Sequence, residues 1–577
     1  MNRLHTRLVF ALAILLSSTP VKAVDTSGIT KPDNAGILEK TLPKELGKPQ
    51  APYADIAPII IEDTNKPDKQ AASITVKSFK ITGNSLVTSD VLRNVIQAYE
   101  GKSILIDDIK EITKLIGEFY RSQGYWASAY LPDQDVNSGD IWIDVVEAKL
   151  GAIKIQVEGE LRFSELRSIK FIENSQAIGG PIKILDLEKG LDQLNAVAGV
   201  KASLVMNKGT NPGETDVIIK VSSGPLVQGV MRVDNYGGRA TGYVRGILSL
   251  GIDSPFGLGE QLSVIGFKTA GIDYTGLGVS YPLLNNGLKV SYNFSKMDYT
   301  LGFPLADLKA LGSSKSHMFS ASQPFLKTYN GDFSWTVNYA SRSYLNEVLQ
   351  EKTSDKEIDA VDMSIQMKVK NLLMDRNITV GSLNYIRGKL DLSGLPQDLT
   401  NDAEGAKRQG YYSKTGLTLT NVKAVTEKDS LWLITNAQYA FKNLDSSEKM
   451  LLGGASGVRA YPTGEAAGDH GIVINAEWRH QITPSLQTML FYDWGKIVQN
   501  KQTWTDWNQS NPQVPNGYTL KGAGLGLTWK IFKDYDLAGT LAHRVGNNPG
   551  ASAAGNEADG THKHVQAWVS LTRGLSF

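Results

Sequence analysis

Apolar and polar residues alternate with a period of two along most of the chain beyond residue 225. Residues 288–295 (LKVSYNFS) and 333–339 (FSWTVNY) show the pattern most clearly. Successive side chains of a strand point to opposite faces, so this alternation predicts β-strands with one apolar face. The sixteen predicted strands lie near residues 227–234, 243–252, 261–268, 274–281, 288–295, 318–327, 332–341, 362–370, 376–386, 411–420, 431–441, 471–480, 486–494, 520–531, 535–544 and 564–577.

The connections between these predicted strands differ in length in a regular way. Connections after odd-numbered strands hold up to 29 residues, in 442–470, whereas those after even-numbered strands hold ten at most. Outer-membrane β-barrels combine long extracellular loops with short periplasmic turns. We therefore predict that residues 225–577 form a transmembrane β-barrel of about 16 antiparallel strands and that the preceding domains lie in the periplasm.

Two segments before the barrel repeat one order of predicted elements. Residues 74–150 and 151–224 each contain a strand, two helices with apolar residues at helical spacing, and two further strands. About 75 residues are enough for a small two-layer domain with its helices on one face of a sheet. The pattern therefore predicts two small α+β domains of the type β-α-α-β-β.

The amino terminus has the pattern of a targeting segment. Arg3 and Arg7 precede the apolar run 8–16, and Val-Lys-Ala at 21–23 supplies the small residues that signal peptidase accepts. A membrane-spanning helix would need about 20 apolar residues, and this run is shorter. We therefore predict that residues 1–23 are a cleaved signal peptide and that the protein is exported from the cytoplasm.

Residues 24–73 are rich in proline and contain one segment of helical character. A helix is predicted from Ala35 to about Leu46, behind the capping candidates Asp33 and Asn34. With six prolines in residues 24–73, the rest of this region is predicted to be an extended linker.

Composition narrows the possible chemistry. The 577 residues include no cysteine, and 60 Lys+Arg balance 59 Asp+Glu. Disulfides, thiolate metal sites and cysteine nucleophiles are therefore excluded, and no net basic charge favours nucleic acid. His470, His480 and His543 are scattered, and no Gly-X-Ser-X-Gly motif frames a serine. We predict no catalytic residue, metal site or cofactor, and hence no enzyme.

One pair of charges is predicted to meet inside the barrel. Leu486, Leu490 and Tyr492 share one face of a predicted strand, so Asp493 points the opposite way, into the lumen. Arg459 lies in the glycine-rich segment 453–465 of the longest connection, which can fold inward and offer a guanidinium to that carboxylate. The alternative is that the two are unrelated charges of a wide lumen.

The residues from 74 to 577 resemble the outer-membrane transporters of two-partner secretion, of the filamentous-haemagglutinin and haemolysin type. These proteins have two POTRA domains, a sixteen-stranded barrel and a Val-Arg-Gly-Tyr motif in the sixth extracellular loop. Here that motif reads Val458-Arg459-Ala460-Tyr461, with alanine in place of the usual glycine. The resemblance implies that Arg459 contacts a strand motif, which corresponds here to Phe491, Asp493 and Gly495.

The same resemblance implies a function and a resting state. The protein is expected to export an unfolded partner protein across the outer membrane without nucleotide hydrolysis, with the helix near 35–46 plugging the pore at rest. The partner is expected to add a strand to a POTRA edge. Our first candidate for that edge contains Tyr125, Trp126 and Tyr130, although these aromatic residues are equally compatible with a role in the domain core.

The expected partners follow from this family. They are a large exoprotein with a haemagglutination-type secretion domain, outer-membrane lipid and, during biogenesis, the barrel-assembly machinery, whose recognition signal the last strand ending in Phe577 resembles. No nucleic acid is expected. The cargo stays open among an adhesin, a haemolysin, a haem-binding protein and a contact-dependent inhibition toxin. An insertase of the barrel-assembly type is the alternative function, because it shares POTRA domains and a loop arginine; two POTRA domains and the preceding helix favour secretion.

Overall fold

The computed structural model describes residues 34–42, 73–136 and 138–577. The predicted signal peptide, 1–23, and most of the predicted linker lie outside the described residues. Within the described ranges, no helix is both long enough and apolar enough to cross a membrane.

The predicted amino-terminal helix is present as α1 (Ala35–Thr41). The side chain of Asn34 accepts a hydrogen bond from the backbone N–H of Ile37 at 3.2 Å and so caps the helix. Residues 43–46 of the predicted helix, and Asp33, lie outside the described residues.

The first periplasmic domain is a small sheet packed against two helices. A three-stranded sheet has the order β2-β5-β4, with β2 parallel and β4 antiparallel to the central β5, and β1 pairs separately with β3. Ile109, Ile112, Ile116 and Tyr120 follow helical spacing and are buried against the sheet. The elements are β1 (Ser73–Thr75), β2 (Ser78–Thr82), α2 (Ser89–Ile96), β3 (Ser103–Leu105), α3 (Ile106–Ser122), β4 (Ala127–Tyr130) and β5 (Asp140–Glu147).

The second domain repeats this arrangement. Its sheet has the order β6-β8-β7, again with one parallel and one antiparallel neighbour of the central strand. The predicted repeat of two small α+β domains is thereby confirmed. The elements are β6 (Lys149–Val157), α4 (Glu165–Glu173), α5 (Ile184–Asn195), β7 (Val200–Lys208) and β8 (Glu214–Ser223).

Side chains of the second domain bind the turns at the near end of the barrel. The Arg167 guanidinium donates to the backbone oxygens of Leu258 and Pro282, both at 2.8 Å. Asp192 on α5 forms an ion pair with Lys327 at 2.7 Å. These contacts place the second domain directly beneath the short-turn end of the barrel.

The prediction of sixteen antiparallel strands in a closed barrel is confirmed. Each strand pairs with its neighbour along the chain, and the last pairs with the first. The strands are β9 (Val227–Asp234), β10 (Arg245–Asp253), β11 (Gln261–Lys268), β12 (Ile272–Pro282), β13 (Lys289–Thr300), β14 (Leu311–Lys327), β15 (Gly331–Val348), β16 (Glu351–Lys370), β17 (Asn377–Asp391), β18 (Gly410–Ala424), β19 (Asp429–Ala440), β22 (His470–Thr483), β23 (Leu486–Val498), β24 (Gly517–Phe532), β25 (Tyr535–Arg544) and β26 (Val565–Ser576), while β20 (Met450–Leu451), β21 (Ala467–Gly468) and the helix α6 (Pro396–Glu404) lie in connections.

Several strands extend further at the long-loop end than the sequence predicts. The connection between β15 and β16 consists of Leu349 and Gln350 alone, not of the 20 residues predicted. Both residues have positive φ, 52° and 71°, as the tight turn of a two-residue hairpin requires. Pairing continues through added residues such as Ser343 and its partner Glu357, beyond the point where the apolar alternation along the sequence has ended.

Candidate gating site in the barrel lumen

The long connection between β19 and β22, residues 441–469, folds into the barrel. Val458, Ala460 and Tyr461 are completely buried, in a cluster with the wall residues Phe491 and Leu520. We call residues 452–466 the inner loop. An extracellular loop whose apolar residues are covered by the lumen wall is a folded part of the interior, so its position is fixed by packing as well as by charge.

Glycine lets the inner loop turn back on itself. A side chain at Gly457 would place its Cβ 1.9 Å from the backbone oxygen of Leu452, so only glycine fits there. Next to it, the N–H of Val458 donates to that same oxygen at 2.7 Å. The turn directs the following residue, Arg459, towards the barrel wall.

The structure brings Arg459 and Asp493 together. The Arg459 Nε lies 3.0 Å from Asp493 Oδ2, and its Nη2 lies 2.7 Å from Oδ1, which is a two-point fork contact. The backbone N–H of Arg459 also donates to Oδ2 at 2.9 Å. Arg459 is 6% exposed and Asp493 is fully buried. One carboxylate therefore binds both the main chain and the side chain of the loop arginine.

Two further residues on β22 complete this contact, and the sequence analysis missed both. Glu477 accepts from Arg459 Nη1 at 2.8 Å and from Arg479 Nε at 2.8 Å. Asn475, the cross-strand neighbour of Asp493, donates to Asp493 Oδ1 at 2.7 Å. The alternation along the predicted strand 471–480 places these residues on its polar face, which is the signal that could have identified them. The buried Arg459, Asp493 and Glu477 and the partly exposed Arg479 thus form a cluster of two cations and two anions.

Phe491 and Gly495 shape the wall around the arginine. The Arg459 Cζ lies 3.6 Å from the centre of the Phe491 ring, which is a close stacking contact between the guanidinium and the ring. A Cβ at Gly495 would lie 2.9 Å from Val458 Cγ2, so glycine leaves the space that the valine occupies. Asp493, Phe491 and Gly495 therefore contact the loop through charge, ring stacking and shape, respectively.

The alanine in the loop motif is matched by a glycine in the wall. A Cβ at Gly522 on β24 would lie 2.7 Å from the Ala460 Cβ, closer than two such atoms approach. The departure from the family's usual glycine at position 460 therefore fits because the facing wall position has no side chain.

Comparisons with known proteins identify the family. A model of the haemolysin secretion/activation protein family ShlB/FhaC/HecB matches residues 213–529, which is more than half of the chain. The chain belongs to the ShlB/FhaC/HecB family. A model of the ShlB-type POTRA domain matches residues 74–148. This ShlB-type protein is thus a two-partner secretion transporter of the Gram-negative outer membrane, with POTRA domains in the periplasm, as the sequence predicted.

The relatives cover most of the chain. The heme/hemopexin transporter protein HuxB of Haemophilus influenzae strain 86-028NP is 27% identical over 507 residues, which are 85% of each chain. The outer membrane transporter CdiB of Escherichia coli is 24% identical over 500 residues, covering 82% of this chain and 79% of CdiB. The solved structure of CdiB from Escherichia coli matches with a TM-score of 0.67 and 18% identity, over 90% of this chain and 94% of CdiB.

The helix α1 of this ShlB-type transporter also lies inside the barrel. The N–H of Ala35 donates to Asn346 Oδ1 at 2.9 Å, and the Tyr344 hydroxyl donates to Glu39 Oε2 at 2.5 Å. Arg245 of β10 donates to the backbone oxygen of Thr41 at 3.0 Å. Ser446, at the base of the long loop, donates to Asn34 Oδ1 at 3.1 Å. The helix therefore fills lumen space between the wall and the loop that carries Arg459.

The three aromatic residues of the predicted POTRA edge have different surroundings. Tyr125 packs in the core of the first domain, and the N–H of Trp126 donates to the backbone oxygen of Ile182 in the second domain at 3.0 Å. Tyr130 is half exposed on β4, an edge strand of its sheet. The structure thus separates the three: the first half of the segment joins the two domains, and the second half borders solvent.

Proposed function

We propose that this transporter exports an unfolded exoprotein through its lumen and that α1 and the inner loop close the lumen at rest. One observation carries the proposal: two segments distant in sequence occupy the interior of one closed barrel, and hydrogen bonds and ion pairs hold both to the wall. Both segments also pack apolar side chains against the wall, and their polar contacts can exchange for contacts with a passing chain. No nucleotide is needed if the client folds outside and cannot return.

The POTRA domains are the proposed capture site. The sheet of the first domain ends in the edge strand β4, and an extended client can add a strand to such an edge through main-chain hydrogen bonds. Because the backbone at Trp126 already binds the second domain, the available part of this edge begins beyond it and includes Tyr130. The proposed client segment therefore pairs near Ser128–Leu131.

The proposed cargo is a large exoprotein with a haemagglutination-type secretion domain. The likeness to HuxB, which is named for heme and hemopexin transport, favours a haem-scavenging exoprotein over the other cargo classes. Outer-membrane lipid surrounds the barrel in this proposal, and the barrel-assembly machinery inserts it.

Export of the encoded partner is the direct test. The gene for this chain is deleted, and the amount of each large exoprotein in the medium is measured beside the total outer-membrane protein profile. Loss of one exoprotein, with the profile otherwise unchanged, is the expected result. General loss of outer-membrane proteins would instead identify an insertase of the barrel-assembly type and would contradict the proposal.

A further inference from the structure

The junction of the first and last strands, which we call the seam, is the shortest ladder in the barrel. It comprises seven residue pairs, from Ser570 with Asp234 to Ser576 with Gln228. By contrast, β15 and β16 pair along nearly their whole lengths of 18 and 20 residues. Main-chain hydrogen bonds join alternate pairs of an antiparallel ladder, so a short ladder offers few bonds against the separation of its two strands.

Side chains extend the seam beyond its ladder at the extracellular end. Asn235 donates to the backbone oxygen of Ala567 at 2.9 Å and accepts from the N–H of Val569 at 2.8 Å. The rings of Tyr236 and Trp568 meet edge to face, with centres 5.7 Å apart and planes at 89°. The extracellular end of the seam, which we call the upper seam, is therefore closed by specific side-chain contacts as well as by its ladder.

The inner loop binds both sides of this upper seam. The indole N–H of Trp568, on the last strand, donates to the backbone oxygen of Arg459 at 2.8 Å. The hydroxyl of Thr463 donates to the backbone oxygen of Tyr236, just beyond the first strand, at 2.9 Å. Trp568 is 5% exposed while the loop is docked, so the Arg459 carbonyl takes the place of water as the partner of its indole N–H.

We propose that the docked inner loop holds the seam closed and that Trp568 is the positioning residue that couples the two. The loop bridges the two strands from inside the barrel, because it accepts one hydrogen bond from the last strand and donates another just beyond the end of the first strand. Arg459 connects this bridge to the ion pair on β23, because its guanidinium binds Asp493 while its backbone carbonyl accepts from Trp568. At rest, the barrel is therefore closed towards the membrane by the same segment that obstructs its lumen. The inference deepens the proposed role of the loop and rests on it.

Hydrogen exchange in the purified full-length protein tests the coupling without any partner protein. Trp568→Phe keeps an aromatic ring against Tyr236 and removes the N–H. We expect amide exchange in 227–234 and 565–576 to become roughly threefold to tenfold faster, the effect of losing about one hydrogen bond. Thr463→Val should act in the same direction. Trp529→Phe, which changes a lipid-facing tryptophan on β24, is the matched control and should leave seam exchange unchanged.

Two results would overturn the inference. One is unchanged seam exchange in Trp568→Phe while Arg459→Ala accelerates it, since the loop would then act on the seam by another route. The other is equal acceleration in strands β13–β15, which would mean general loss of stability. In the double variant Trp568→Phe/Arg459→Ala, the acceleration should be close to that of Arg459→Ala alone, because both changes break the same bridge.

A disulfide across the seam separates this inference from the proposed route of export. Val227 and Phe577 exchange both main-chain hydrogen bonds, so Val230 and Gly574, three residues along, form a close non-hydrogen-bonded pair. A Cβ at Gly574 meets no atom within 4 Å, and the chain contains no other cysteine. Oxidised Val230→Cys/Gly574→Cys should return exchange of Trp568→Phe to the control rate; continued fast exchange would overturn the inference. Export blocked only in the oxidised form would instead contradict the proposed passage through a closed barrel.

Discussion

At the scale of single residues, Asp493 accepts four hydrogen bonds in the lumen site. Its two oxygens bind the loop arginine at two points, the loop main chain and the neighbouring Asn475. A buried ion pair of this kind adds little net stability, because desolvation of both charges offsets their attraction. Its value is geometric: one loop conformation satisfies all of these groups at once.

Arg459→Ala should abolish export while the barrel still assembles. The substitution leaves Asp493 and Glu477 without their shared cation, so the loop loses its docked position. Export is measured as exoprotein in the medium, and barrel assembly as heat-modifiable mobility on gels. Arg387→Ala, on the exposed face of β17, is the control and should export normally. Normal export by Arg459→Ala would refute the gating role.

A pair of small residues offers a test by compensation. Gly522→Ala should impair export, because its methyl group would lie 2.7 Å from the Ala460 Cβ. Adding Ala460→Gly to that variant removes the clash and should restore most of the export. Failure of the second substitution to rescue the first would show that the loop does not need this contact in the cycle.

At the scale of elements, alternation predicted the strands well because one face of each strand meets lipid. It therefore placed Asp493 in the lumen without any structure. It could not show how far β15 and β16 continue. Beyond the bilayer both faces of a strand meet water, so paired strands there need no alternation of apolar and polar residues. Nor could it reveal Trp568 beside the loop, since that contact depends on which strands close the barrel.

The helix α1 should limit conductance at rest. Asn346 accepts from the N–H of Ala35 and from the Tyr299 hydroxyl, so Asn346→Ala removes a buried partner of the helix. We expect more frequent open events in planar lipid bilayers than in the wild type. Asn338→Ala, eight residues earlier on the same strand, provides the control. Unaltered conductance in both variants would argue against a plug.

The first POTRA domain should lose local order in acid. Burial raises the pKa of the Glu147 carboxyl, but hydrogen bonds from Ser85, Leu86 and Tyr120 outweigh burial and hold that pKa below its usual range. A depressed carboxyl pKa stabilises the fold above the ordinary value, near 4.3, and this contribution disappears as pH falls through the folded value. Protection of amides 83–88, corrected for intrinsic exchange, should therefore fall in Glu147→Gln at pH 7.

The same comparison at lower pH provides the check. The difference between Glu147→Gln and wild type should shrink once the pH passes below the carboxyl pKa. Glu118→Gln, at an exposed pair with Lys114, should have no comparable effect at either pH. An undiminished difference in acid would mean that Glu147 acts through shape and not through charge.

At the scale of the whole molecule, three parts of the chain converge on one passage. The second POTRA domain lies against the barrel's short turns, α1 lies inside, and the inner loop enters from the other end. The pattern of the sequence predicts the POTRA domains, the helix and the barrel, and the family motif predicts the contact between Arg459 and Asp493. The convergence itself depends on tertiary packing, so only the structure shows that the helix and the loop base are in contact.

The uneven height of the barrel gives its outer mouth a direction. β16 has 20 residues and begins at a tight hairpin, whereas β9, on the other side of the ring, has 8. At roughly 3.3 Å per residue, the wall around β16 extends further beyond the membrane on the extracellular side than the wall around β9 does. An emerging polypeptide is therefore covered by the wall on the β16 side and exposed to solvent on the β9 side. We expect its first folded segments to form on the β9 side.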